Sequence, residues 1–504
     1  MTGRQGSITS RRARIRIVAV LGLATVLGSA RPLVAQATGP ARDTTQPALA
    51  RPVPLPAAPA KATAMNAEPP AVLTLDTAVA LALEIGTAVQ QGRFASADAR
   101  SEVSRSYAGI LPTVTASGGR AVTNGDPLVG SRAAEPWSTQ FETMGYQLQT
   151  SLNLLGAVTA YPGIRSAQYI RQTYDLSLER TRQSVALDVS QAFLQTVLDS
   201  ELVVIAAQNV AVSQEQVVQL QELVRVGKRP PADLYQTQSE ASANQSTYFD
   251  AINRQRADEI GLLQRVHIDP QRTVAIATPP MDTTLLGQEY LDTARVASAA
   301  LQRRPDLQSA HAAIDATRWG IRHAAGENMP TLSLGFTLFS TGRVFDYANQ
   351  DGVPQITTPQ ASLTSQVGNQ ATRIFSIGIG YSLFDVFRSR LDYQEARVAY
   401  GSAQVAEGDV RREVTGDVAR AIGEYGVAVQ RMVSTASGLA AAQAAFQLVS
   451  GRYNVGFSSI VDFLTAQAAL ERAQSLRAQA IVQLSLAKRA IAYAIGLAPT
   501  DRLP

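Results

Sequence analysis

The chain of 504 residues contains no cysteine, three histidines and two tryptophans, and aromatic residues make up 6% of it. Without cysteine there is no disulfide, no thiolate metal site, no cysteine nucleophile and no N-terminal lipid anchor, which requires a cysteine at the mature start. The histidines, His267, His311 and His323, do not stand at metal-ligand spacing, and no serine sits in a nucleophile motif. Gly378-Ile379-Gly380 opens like a dinucleotide loop but lies in an alternating strand pattern and lacks the third glycine. Composition therefore points away from an enzyme, and no cofactor or metal is expected. A dense Lys/Arg run with interleaved aromatics, the footprint of nucleic-acid binding, is also missing.

What is present begins with an export address. Arg11, Arg12, Arg14 and Arg16 form a positive segment, Ile17 to Leu27 an apolar one, and Ala35-Gln36-Ala37 a small-x-small cleavage site. That order is the pattern of a secretory signal peptide over residues 1–37, and the apolar run falls short of the roughly 20 residues a spanning helix needs. Cleavage after Ala37 would remove six arginines and no acid, taking the formal net charge from +4 to −2. Residues 38–71 carry eight prolines among many alanines and read as a disordered or polyproline-like leader.

From residue 72 onward the chain says the same thing twice, over 72–288 and 289–504. Leu75-Asp76-Thr77-Ala78 opens one half and Leu291-Asp292-Thr293-Ala294 the other. Leu111-Pro112-Thr113 and Met329-Pro330-Thr331 then precede strand-like runs. A constant offset of 229 pairs Arg182 with Arg411, Val189 with Val418, Gly227 with Gly456, Asp233 with Asp462 and Pro270 with Pro499. Such a register predicts continuous packed helices, because one inserted residue would rotate every later side chain by about 100°. Val185, Val189, Ala192, Phe193 and Val197 recur at helical spacing within a proline-free stretch from about 167 to 226. Any long coiled coil explains this much, including an exported structural scaffold.

Strand patterns separate the readings. Met144, Tyr146, Leu148, Leu152 and Leu154 alternate with small or polar residues, as do Leu332, Leu334, Phe336 and Leu338, and Phe375, Ile377, Ile379, Tyr381 and Leu383; a weaker strand falls near Val114 to Val122. Alternation over about ten residues fits a barrel strand between lipid and water, and also a half-buried soluble sheet. Export combined with long helices favours the barrel. Polar segments Asn124 to Thr139 and Ser340 to Thr372 suit external loops. Four strands are too few to close a membrane barrel, so the chain must oligomerise.

The order helix, strand, strand, long helix, tip, helix, stated twice, resembles the TolC/OprM-like outer-membrane factor family over nearly all of residues 72–498. The resemblance implies a mainly α fold with transmembrane β: antiparallel helical-barrel hairpins and four strands per chain, closing as a homotrimer into one twelve-stranded barrel. It implies an outer-membrane location with a periplasmic extension, and a passive exit duct for a tripartite efflux system. The implied partners are a periplasmic adaptor, an inner-membrane pump and outer-membrane lipid; type I protein secretion uses the same kind of exit component. At the hairpin tips, Val226, Gly227 and Lys228, with Val455, Gly456 and Phe457, match the adaptor-contact positions. Asp233, Asp462 and Tyr453 match the aperture, where an acidic ring and a tip tyrosine act; an aspartate that merely caps the next helix fits Asp233 and Asp462 equally well. Ser458 stands where the best-known members have an arginine and Thr465 where they have a second acidic position, while Lys228-Arg229-Pro230-Pro231 makes the first tip basic and stiff.

Overall fold

A computed structural model of the chain describes residues 72–125, 139–281, 283–327, 329–350, 353–355, 361–381 and 386–497. The signal and leader expected over 1–37 and 38–71 lie outside these residues, as does most of the loop expected after Asn124.

Each half begins with a broken helix. In the first, α1 (Leu75–Ile85) gives way at Gly86 to α2 (Thr87–Ala108); in the second, α5 (Thr293–Arg303) gives way at Arg304 to α6 (Pro305–Gly326). Thr74 caps α1 through a reciprocal bond pair with Thr77, whereas α5 is capped by Asp292, whose carboxylate accepts from the backbone of Ala294 and Arg295. The shared Leu-Asp-Thr-Ala motif thus starts a helix in both places, in registers two residues apart.

Two strands follow each pair: β2 (Thr113–Gly125) and β3 (Thr139–Asn153), then β5 (Thr331–Gln350) and β7 (Thr372–Gly380). They form one antiparallel sheet in the order β2-β3-β5-β7. The segment expected to be loop from Ser340 is more structured than its polarity indicates. β5 continues to Gln350, pairs there with the short β6 (Val353–Gln355), and is covered by a seven-residue helix, α7 (Leu363–Asn369). Polar residues extend the strand because their backbone groups are satisfied across it: Ser340 is buried and donates to the Val367 carbonyl, and the Gln366 amide bonds both backbone groups of Arg343. A Cβ at Gly342 would come within 3.0 Å of the Leu363 carbonyl oxygen, so glycine permits this close approach.

Two helices then run the length of the molecule, α3 (Gly156–Arg225, 70 residues) and α8 (Val386–Asn454, 69 residues). At 1.5 Å per residue each is roughly 100 Å long. α3 starts earlier than the proline-free stretch indicates and carries Pro162 near its beginning. Each long helix folds back at a tight turn into a shorter partner, α4 (Pro231–Arg265) and α9 (Ile460–Ile495). α3 packs against α2 and α6 in one part of its length and against α4 and α9 in the other; α8 packs against α6 and α9.

The described residues have two main cores, one where α1 and α4 pack on α3 and one where α5 and α9 pack on α8. One gathers Leu73, Val79, Val189, Phe193, Leu262 and Val266; the other gathers Val296, Val418, Tyr425, Leu484, Ile491 and Ile495. Burying each such side chain contributes about 1.5–3 kcal/mol. The pairs Val189 with Val418, Leu262 with Ile491 and Val266 with Ile495 all stand at the 229 offset. A parallel two-residue pairing of β1 (Val72–Leu73) with β4 (Ala275–Ile276), not anticipated from the sequence, ties the first core's outer edge. At the α5–α6 break the buried Arg304 bridges Asp306 at 2.5 Å and Asp417 at 2.8 Å, and Arg180 lies 3.5 Å from the Asp306 carboxylate.

Candidate functional site: the hairpin tips and the sheet

Both tips are built by the same backbone device. Gly227 and Gly456 adopt φ of +74° and +86°, a left-handed conformation in which a Cβ is costly. At the first tip Gly227 N–H donates to Val224 O and Lys228 N–H to Leu223 O; at the second Gly456 N–H donates to Tyr453 O and Phe457 N–H to Arg452 O. These paired bonds satisfy the last carbonyls of α3 and α8. The turns lift Val226, Val455 and Phe457 into solvent, the last 86% exposed, with Lys228 exposed beside them.

The following helices start differently, and this separates the two aspartates. Ser459 caps α9 by a reciprocal box with Asp462, whose carboxylate accepts from the Ser459 backbone, the Ser459 hydroxyl and the Ser458 hydroxyl. These bonds hold the Asp462 carboxyl below the usual range. The cap reading of Asp462 is therefore what the geometry displays. In the first tip Pro230 and Pro231 start α4, no side chain caps it, and Asp233 instead lies 4.0 Å from the Arg229 guanidinium.

Arg229 is the residue that motif matching passes over. Its guanidinium stacks 4.3 Å from the centre of the Tyr453 ring and donates to the Tyr453 carbonyl at 2.6 Å, crossing from the first hairpin to the second. Its sequence signal is only a cation between two turn residues, Gly227 and Pro230. Tyr453 itself is 7% exposed and stacked on Phe463 at 5.1 Å, and it packs with Leu220, Ile460 and Leu464 in a small core joining both hairpins. Burial raises the Tyr453 phenol, which Arg229 opposes and Asp233 reinforces. Asp233 and Tyr453 thus meet through Arg229, while Asp462 serves its own helix. Beside them a groove of about 740 Å³ between α3 and α8 is lined by Glu215, Gln219, Lys228, Arg229, Tyr453 and Asn454, among others.

At the other end the sheet presents one apolar face. Phe336 pairs with Phe375, Leu334 with Ile377 and Leu332 with Ile379; across β3, Leu152 meets Leu334 and Leu148 meets Leu338. Phe375, Ile377 and Ile379 are each about three-quarters exposed, which soluble sheets avoid. Among the described residues β2 and β7 each pair on one side only.

Residues 296–497 match the family model "outer membrane efflux protein". Over those residues, short of half its length, the chain is similar to outer membrane efflux proteins. The chain is 22% identical over 331 residues to the outer membrane efflux protein BepC of Brucella suis biovar 1 (strain 1330), an alignment covering 65% of this chain and 66% of that relative's length. In structure it resembles the outer-membrane channel OprN, with TM-score 0.68, 18% identity and coverage of 84% of this chain and 89% of that one. It also resembles the open state of the MtrE outer membrane channel of Neisseria gonorrhoeae, with TM-score 0.67, 16% identity and coverage of 84% and 89%.

Proposed function

We propose that the chain is the passive exit duct of a tripartite efflux system, working as a homotrimer. Three four-stranded sheets close into a twelve-stranded barrel by pairing the β2 edge of one copy with the β7 edge of the next. The observation that carries this is the sheet itself: a lipid-suited face bounded by two unpaired edges. Unpaired backbone groups cost several kcal/mol each in lipid, so closure is required in the membrane. A second support is α8, whose most apolar window is not buried within the protomer at all, whereas that of α3 is 56% buried. Leu391, Val398 and Val405 form an exposed heptad row on it and are suited to pack on the next copy.

The tips divide the remaining work. Exposed Val226, Val455 and Phe457, with Gly227, Lys228 and Gly456 shaping the turns, are proposed as the seat for a periplasmic adaptor that couples the duct to an inner-membrane pump. Asp233, Tyr453 and Asp462 are proposed for the aperture, with Arg229 as its latch. The direct test is to purify the full chain in detergent, measure its mass by light scattering, and record conductance in planar bilayers. A trimer forming discrete channels is expected. A monomeric species, or a trimer without conductance, overturns the reading.

A further inference from the structure

Toward the end of the first hairpin away from its tip, the seam between α3 and α4 contains a carboxylate that nothing in the channel reading uses. Asp199 on α3 is 1% exposed. One of its oxygens accepts from the Gln195 amide at 3.2 Å, and the other, Oδ2, is buried and receives no N–H or O–H. The group lying against it from α4 is another carboxyl, Asp258. Two carboxylates offer only acceptors, so they satisfy each other only when one carries a proton.

The surroundings give little relief. On its own helix Asp199 is flanked by Leu194, Leu198 and Leu202, against which α9 packs Val482 and Leu486. From α4, Arg254 stands one turn before Asp258 and is exposed, attracting Asp199 only weakly. Gln255 is committed to the Ser200 hydroxyl at 2.9 Å.

The second hairpin shows that the fold does not need the pair. At the 229 offset Asp199 and Asp258 correspond to Ala428 and Ala487, both buried in the core between α8 and α9. Two buried alanines hold these places in one hairpin where a carboxyl pair holds them in the other. We propose that Asp199 and Asp258 form a proton-binding site that clamps α3 to α4 when one proton is shared and loosens that hairpin alone when the proton leaves.

Burial, followed by the hydrogen bond and charge of Asp258, pushes the Asp199 carboxyl up to about 7. The folded state then keeps a proton that the unfolded chain releases near pH 4. Stability contributed here is greatest below that range, falls as pH rises toward 7 and is flat above it. One proton sets a limit of about tenfold in an opening equilibrium per pH unit.

Hydrogen exchange of the full-length purified protein, corrected for intrinsic rates, tests this between pH 5 and pH 8. Protection of segments 195–203 and 251–262 is expected to fall at least about threefold toward pH 8, while 424–432 and 483–491 hold constant. In Asp199→Asn a permanent amide donor faces Asp258, and in the double variant Asp199→Ala/Asp258→Ala the second hairpin's residues are copied. Both should abolish the pH dependence. Equal pH behaviour of the two hairpins in the unmodified protein, or persistence of the difference in the double variant, overturns the proposal.

Discussion

At the residue scale the tip is governed by which partner each polar group finds first. Asp233 and Asp462 occupy matched places, yet Ser459 engages Asp462 as a cap, while Pro230 denies Asp233 that partner and leaves it near Arg229. Arg229→Ala removes the stacking and the bond to the Tyr453 carbonyl. It is expected to cost about 0.5–2 kcal/mol in urea unfolding and to raise the open fraction in bilayer recordings. A channel no more open than the unmodified one would limit Arg229 to packing. For Asp462 the sign is opposite to that of Asp199. Its depressed carboxyl contributes stability above the ordinary carboxylate range and loses it as pH falls through the folded value. Asp462→Asn should therefore lower stability at pH 7, with the difference vanishing in strong acid. The same variant should weaken cation block of conductance, and unchanged block would take Asp462 out of the aperture.

Elements are decided by their ends and by single buried charges. Gly456→Ala forces a Cβ into a left-handed turn and is expected to cost about 1–2 kcal/mol. Gly438→Ala, inside α8 with nothing within 4 Å of a built Cβ, should instead stabilise by about 0.5–1 kcal/mol. Thermal melts of the two variants side by side check the opposite signs. Arg304 holds the α5–α6 break by pairing with Asp306 and Asp417 while 2% exposed. Arg304→Ala removes the buried cation shared by Asp306 and Asp417, leaves them only Arg180 and Arg420, and should cost about 1.5–3 kcal/mol. Helix identity and the positive-φ tips were legible in the chain, because apolar periodicity and glycine placement are local. The extension of β5 beyond Ser340 was not, since its polar residues are strand only through Gln366 and Val367 of α7. The role of Arg229 was equally hidden, because Tyr453 is 224 residues away in sequence.

For the whole molecule the deciding quantity is surface that one copy leaves uncovered. Ile377 on β7 is 74% exposed in the protomer. Ile377→Arg places a charge on the face proposed to meet lipid and should cost about 2–4 kcal/mol per chain, read as loss of the heat-resistant oligomer band on mild gels. The alternating strands and the absence of enough strands to close a barrel by themselves were both readable from residues, because strand period and strand count are properties of the chain. So were the long helices and the 229-residue register, since each depends on spacing alone. Tertiary structure alone decided that Asp462 caps a helix while Asp233 faces Arg229, that Arg229 reaches Tyr453 across two hairpins, and that Asp199 meets Asp258 where the other hairpin has two alanines. Those outcomes depend on which distant groups packing brings within hydrogen-bond reach and how much water it removes, and neither is encoded at any one position.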